Sequence, residues 1–172
     1  MLSVVSGAVA LALALVTGGD PFTASVPVLD SPTRHVRAAD RAARKLLRAG
    51  FHHSPTFASL LQRLERADLL VYVETVSRLP GALEGRLVIQ PPSHGFRYVR
   101  IQIAERGTPN DTIAVLGHEL RHAVEVAEAR EVVDADGLAA LYRRIGIAHG
   151  NNLFDTIEAQ ETGRQVMKEL IA

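Results

Sequence analysis

Two histidines four residues apart, with a glutamate directly after the first, mark the run Gly117-His118-Glu119-Leu120-Arg121-His122. On an α-helix each residue advances about 100°, so positions four apart sit only about 40° apart around the axis. His118 and His122 would then project side by side and could offer two imidazole nitrogens to one Zn2+ ion. Glu119, turned about 100° from His118, would hold its carboxylate beside the ion, placed to handle the proton of a water rather than to ligate. The chain has seven histidines in 172 residues, and chance predicts on the order of 0.02 such patterns in a chain of that make-up. There is no cysteine. Thiolate ligands, disulfides, iron–sulfur clusters and thiol nucleophiles are thereby excluded, and imidazole and carboxylate chemistry is left.

The motif needs a helix, and the residues before it supply one. Thr108-Pro109 is a cap followed by a first-turn proline, and it predicts a long helix to about Glu131. Along it Ile113, Leu116, Leu120, Val124 and Ala127 form one apolar stripe. The two histidines lie about 150–180° from the centre of that stripe and so face another layer or a cleft. Upstream, Thr33 to Ala49 reads as a helix stopped by Gly50. Arg34, Arg37, Arg41, Arg44 and Arg48 would line one side of it as a solvated stripe, or as a contact with anionic lipid or cell-envelope polymer. Ser54-Pro55 opens a second helix to about Ala67. Leu69 to Val76, Gly85 to Gln90 and Arg97 to Ala104 read as short strands, the last two paired as a hairpin through Pro91 to Gly95. Downstream, Asp134 caps a short helix to about Ile145, Gly146 to Asn152 is a loop, and Asp155 to Ile171 is a final helix. Two helices, a small sheet and three helices make an α+β fold: a small, mostly antiparallel sheet packed against the motif-bearing helix and several further helices.

The succession of strand, H-E-x-x-H helix and later helix, over roughly residues 97–170, resembles the zincin metallopeptidases. A metzincin would carry glycine at position 125 and histidine or aspartate at position 128, where this chain has Glu125 and Glu128. The gluzincin branch takes its third ligand, a glutamate, from a downstream helix, and Phe154-Asp155-Thr156-Ile157-Glu158-Ala159-Gln160-Glu161 looks like that element. The resemblance implies a zinc ion held by His118, His122 and Glu158, with Glu119 as general base. Glu161 is the second choice for third ligand, and Glu125 and His149 are the others. It further implies an extended peptide lying antiparallel along an edge strand, for which Arg97 to Ala104 would serve, with Arg100 and Gln102 lining the cleft. Tyr142, Arg143 and His149 are candidates to stabilise the oxyanion, and Asp155 and Glu125 to support the imidazoles from behind. The implied activity is zinc-dependent hydrolysis of peptide bonds in a peptide or protein substrate. The alternative is a non-catalytic metal-binding or pseudo-peptidase module that binds a protein partner through the same cleft.

Composition bounds the setting. Lys+Arg and Asp+Glu are 19 each and the pI is about 7.1, so the chain has no electrostatic footprint for nucleic acid. A hydrophobic share of 47% in 172 residues suits a single domain with a real core. Residues 1–19 carry no charged side chain, and the apolar run Leu2 to Val16 ends in Thr17-Gly18-Gly19. That pattern reads as a signal peptide, shorter than the roughly 20 apolar residues of a spanning helix. Residues 20–32 read as a linker and 33–172 as the zincin-like domain. The expectation is a secreted or periplasmic monomer, touching a membrane only as a membrane-anchored form with the N-terminal segment uncleaved.

Overall fold

The computed structural model describes residues 11–12, 33–148 and 153–172. The expected signal peptide, apart from 11–12, and the linker at 20–32 lie outside the described residues, as does His149. Among those described, the elements run β1 (Leu11–Ala12), β2 (Val36–Ala38), α1 (Arg41–His53), α2 (Pro55–Glu65), β3 (Leu69–Val76), β4 (Gly85–Ser93), β5 (Phe96–Ala104), α3 (Pro109–Glu128), α4 (Ala135–Ile145), β6 (Ile147–Ala148), β7 (Leu153–Asp155) and α5 (Ile157–Leu170). The class is α+β; among the described residues there are five α-helices, a small four-stranded sheet and a second sheet of three short strands in the order β1-β7-β6.

The sheet order is β2-β3-β5-β4. β2 and β3 are parallel, β3 and β5 are parallel, and only β4 and β5 are antiparallel. The expected mostly antiparallel sheet is therefore corrected to a mixed one. The parallel β2–β3 pair needs a long crossover, and α1 and α2 provide it. The expected hairpin is present, closing through His94 and Gly95 at φ 51 and 79. Its roles are exchanged, however. β5, expected at the edge, is enclosed between β3 and β4, and the edges are β2 and β4. Val99, Ile101 and Ile103 on β5 are fully buried, as an interior strand requires.

α1 starts later than its arginine spacing suggests. Val36–Ala38 is drawn out as a strand against β3, and Asp40 caps the helix by accepting from the Ala43 N–H at 2.8 Å. The same carboxylate accepts from the Thr75 N–H and hydroxyl, tying α1 to the end of β3. Arg34 and Arg37 thus leave the helical stripe, which keeps Arg41, Arg44 and Arg48. Gly50 does not stop the helix. A Cβ there would sit 2.8 Å from the Phe57 ring, so glycine lets α1 run on to His53 while α2 packs against it. The core forms where α1, α2 and α3 cover one sheet face, with Leu47, Phe57, Leu61, Leu64, Leu116 and Leu120 against Val71, Val73 and Leu87. None of the described helices is long and apolar enough to cross a membrane.

Two charged groups are used to end helices. Arg97 is buried at 6% exposure and gathers the carbonyls at the C-terminal end of α3. Glu169, near the end of α5, caps the start of α2 by accepting from the Thr56 N–H and from the Ser54 and Thr56 hydroxyls. Burial acts to raise its pKa, but these donors outweigh it and bring it down from 4.5 to about 2. A carboxyl whose pKa falls on folding stabilises the protein above its unfolded value and loses that effect as pH drops through its folded value. The melting temperature should therefore decline as pH falls from 4.5 towards about 2. Glu169→Gln should flatten that part of the profile in circular dichroism melts, and an unchanged slope would show that the cap carries no acid sensitivity.

Candidate metal centre

α3 is built to hold its middle rigid. Thr108 and Asp111 form a reciprocal capping box at its start, a motif that satisfies two otherwise orphaned N–H groups. The helix is then packed on opposite sides. Gly117 meets Val166 of α5, and Gly163 of α5 brings that helix's backbone against His118. On the other side Gly85 of β4 lies so close that a Cβ there would be 2.7 Å from Glu119 Oε1. As a result His118, Glu119 and His122 are all buried, at 3%, 0% and 0% exposure.

The two imidazoles converge as the spacing predicts, with His118 Nε2 and His122 Nε2 3.1 Å apart. Asp155 Oδ1 lies 3.1 Å from the first and 3.5 Å from the second. Two imidazole nitrogens and a carboxylate oxygen thus form one buried group close enough to bind a metal ion. Three ligands on a tetrahedral zinc at 2.0–2.1 Å stand about 3.3 Å from one another. The observed triangle, 3.1, 3.1 and 3.5 Å, has that size.

The supporting contacts fix which atoms face inward. Glu125 Oε2 is 2.9 Å from His122 Nδ1. With an N–H on Nδ1 donated to Glu125, a metal would take Nε2 in place of the proton that this nitrogen shares with Asp155. Tyr142, fully buried, donates to Glu125 Oε2 at 3.1 Å, and Thr156 donates to Glu125 Oε1 at 2.8 Å. Asp155 is held by the Thr156 N–H on Oδ1 and by Gln160 on Oδ2. Burial acts to raise the Asp155 pKa, but hydrogen bonds from His118 and His122 prevail and pull it far below the usual carboxylate range. Burial acts to lower both histidines. It prevails at His118, whereas at His122 hydrogen bonds to Asp155 and Glu125 outweigh it and lift the pKa to about 9. Glu119 differs from the other acids. Both its carboxylate oxygens are buried without a hydrogen-bond partner, and desolvation pushes its pKa up to about 8.

Comparison with family models, with curated proteins and with solved structures finds no match to this chain.

The residues expected from sequence divide as follows. His118, Glu119 and His122 come together as the motif requires. Glu158 does not join them: it is exposed on the first turn of α5, and Asp155 stands in its place. Glu161, the second choice, is also exposed. Glu125 lies behind His122, as expected of a supporting group. Tyr142, an oxyanion candidate from sequence, is fully buried and sits against the outer face of His122, its hydroxyl 3.1 Å from Nδ1. Arg143 is exposed and bonds back to the Ala139 carbonyl of its own helix. Asp155 had been expected only as support. One signal could have promoted it: Thr156 is a strong N-cap type, and it does cap α5 through the Ala159 N–H. Reading it so starts the helix at 157 and leaves Asp155 on the preceding extended segment, free to point across at α3.

Proposed function

We propose that the chain is a zinc-dependent peptidase of zincin type, with His118, His122 and Asp155 as the metal ligands and Glu119 as the general base. The observation that carries the reading is the pairing of a tetrahedron-sized triangle of buried donor atoms with a neighbouring buried carboxylate that has no hydrogen-bond partner. Buried polar groups are nearly always satisfied, so an orphaned carboxylate of this kind asks for a ligand or a bound water. Two imidazoles and a carboxylate suit Zn2+ and leave a fourth position open. Zinc, when bound, supplies a Lewis acid for the scissile carbonyl and lowers the pKa of water.

The chain's own residues do the rest. Glu119 takes a proton from the attacking water and returns it to the leaving amine. Its burial keeps it basic enough for that exchange near neutral pH. Gly85 leaves the room that the Glu119 side chain needs. β4, as the edge strand beside Glu119, offers backbone groups along which an extended peptide can lie, with little demand on its side chains. The apolar N-terminal segment would carry such an enzyme out of the cytoplasm.

Elemental analysis of the purified chain should find about one zinc per chain. His118→Ala and Asp155→Ala should each lose it, and Glu158→Ala should keep it. Zinc retained by Asp155→Ala but lost by Glu158→Ala would overturn the ligand set. No zinc in the wild type after reconstitution would overturn the whole reading.

A further inference from the structure

One face of α1 gathers cations that the described residues do not neutralise, and we propose that this face docks the protein on a bilayer bearing anionic phospholipid headgroups. Arg41, Arg44, Lys45 and Arg48 stand at i, i+3, i+4 and i+7. At about 100° per residue they fall within a sector of about 100°, along about 10 Å of the helix axis. The buried residues of the helix, Ala43, Leu47 and Gly50, lie about 145° away from the middle of that sector. The cations therefore point out from the core. Arg41, Lys45 and Arg48 are exposed and Arg44 is half-buried.

The arrangement works against the helix that carries it. Arg41 with Lys45, and Arg44 with Arg48, are like-charged pairs at i,i+4, which destabilise a helix. Arg41 also puts a positive charge at the positive end of the helix dipole, in a first turn that has no acid. The preceding acid, Asp40, is engaged by the Ala43 and Thr75 N–H groups, and residues 41–64 contain no acid. Among the described residues none of the four side chains has an ion pair, whereas Arg63 pairs with Glu128 and Arg144 with Glu131. A local rule broken without compensation inside the chain points to a partner outside it.

The chemistry of that partner follows from charge. Lys+Arg and Asp+Glu are 19 each, so a face of four cations leaves an excess of four acids over the rest of the chain. Such a molecule turns this face toward a negative surface. No aromatic residue interleaves the stripe, which disfavours stacking on bases or sugars. A fluid bilayer can bring a headgroup to each cation, and the uncharged apolar run Leu2 to Val16 is of the kind that delivers a chain to a membrane. None of the four residues lies on α3 or β7, which bear the candidate centre, so the inference stands apart from the peptidase reading.

Sedimentation of the full chain with vesicles tests it, comparing pure phosphatidylcholine with a mixture containing phosphatidylglycerol. The N-terminal run can enter both kinds of vesicle, so the quantity read is the ratio of the two partition coefficients. Each Lys or Arg near an anionic surface contributes about fivefold. In about 0.1 M salt the wild type should favour the anionic vesicles by at least a hundredfold, and in about 1 M salt, where the Debye length falls to about 3 Å, it should not. Combining Arg41→Gln, Arg44→Gln, Lys45→Gln and Arg48→Gln should bring the ratio close to one. Relieved of its like charges, that variant should melt at or above the wild type, which separates lost docking from lost folding. A control that removes four exposed arginines elsewhere, Arg78→Gln, Arg106→Gln, Arg143→Gln and Arg164→Gln, should keep most of the preference. A wild-type ratio near one, or an equal loss in the two variants, would overturn the proposal. Stripe-dependent binding to soluble polyphosphate, with both vesicles bound alike, would overturn it in favour of a soluble polyanion.

Discussion

Glu119→Gln should lower kcat/KM for peptide hydrolysis by roughly 10^2–10^4, the usual share of a general acid–base group, while zinc content stays at wild-type level. The amide has the same shape but cannot accept the proton. The expected stability change has the opposite sign. Burial raises the Glu119 pKa from 4.5 to about 8. A carboxyl raised in this way costs the folded state stability as pH climbs from its unfolded value to its folded one. Glutamine mimics the neutral acid, so the zinc-free variant should melt at or above the wild type at pH 8 and close to it at pH 4. An activity lost together with a stability gained is the signature of a residue kept for chemistry. Full hydrolysis by Glu119→Gln would remove it as the base. Zinc bound with no hydrolysis even by the wild type would favour the non-catalytic binding module.

Replacing Arg97 should be the most damaging change away from the centre. Its Nη1 donates to the carbonyls of Val126, Ala129 and Val132 at 2.9, 2.9 and 3.1 Å. Its Nη2 donates to Asp68 at 2.7 Å and to the Ala127 carbonyl at 3.1 Å, and its hydrogen bond holds the Asp68 pKa below the ordinary value. One guanidinium thus collects the end of α3 and joins it to the loop before β3. Arg97→Met keeps the stem but leaves several of these carbonyls without a donor, at a cost of about 3–5 kcal/mol. For a chain of this size that is a melting-temperature loss on the order of 10 °C. Arg97→Lys, which keeps the charge but not the five-donor fork, should fall between. A loss within about 1 °C for Arg97→Met would show that water replaces the guanidinium at no cost. Because α3 carries His118 and His122, weaker zinc binding should accompany the loss.

Much of the chain's local structure was legible from short-range chemistry. The Leu69–Val76 strand, the hairpin turn, the Ser54, Thr108 and Asp134 caps and the motif-bearing helix all follow from neighbours within about four residues. Strand order did not follow, because β-branched alternation marks a half-buried strand without naming its partners. β5 alternates as an edge strand would, yet β3 and β4 enclose it. Arg97 carries the same lesson: it falls in phase with Val99 and Ile101, pointing inward, and only the arrival of the α3 terminus 29–35 residues away gives its charge partners.

At the centre the division is sharp. The sequence by itself determined His118, Glu119 and His122 as a unit, because one helical turn brings residues i and i+4 together wherever the helix lies. The third donor was decided only by tertiary structure. Asp155 and Glu158 are three residues apart and chemically alike. What separates them is that β7 ends at Asp155 and Thr156 caps the following helix, so Asp155 is held facing α3 and Glu158 is turned to solvent.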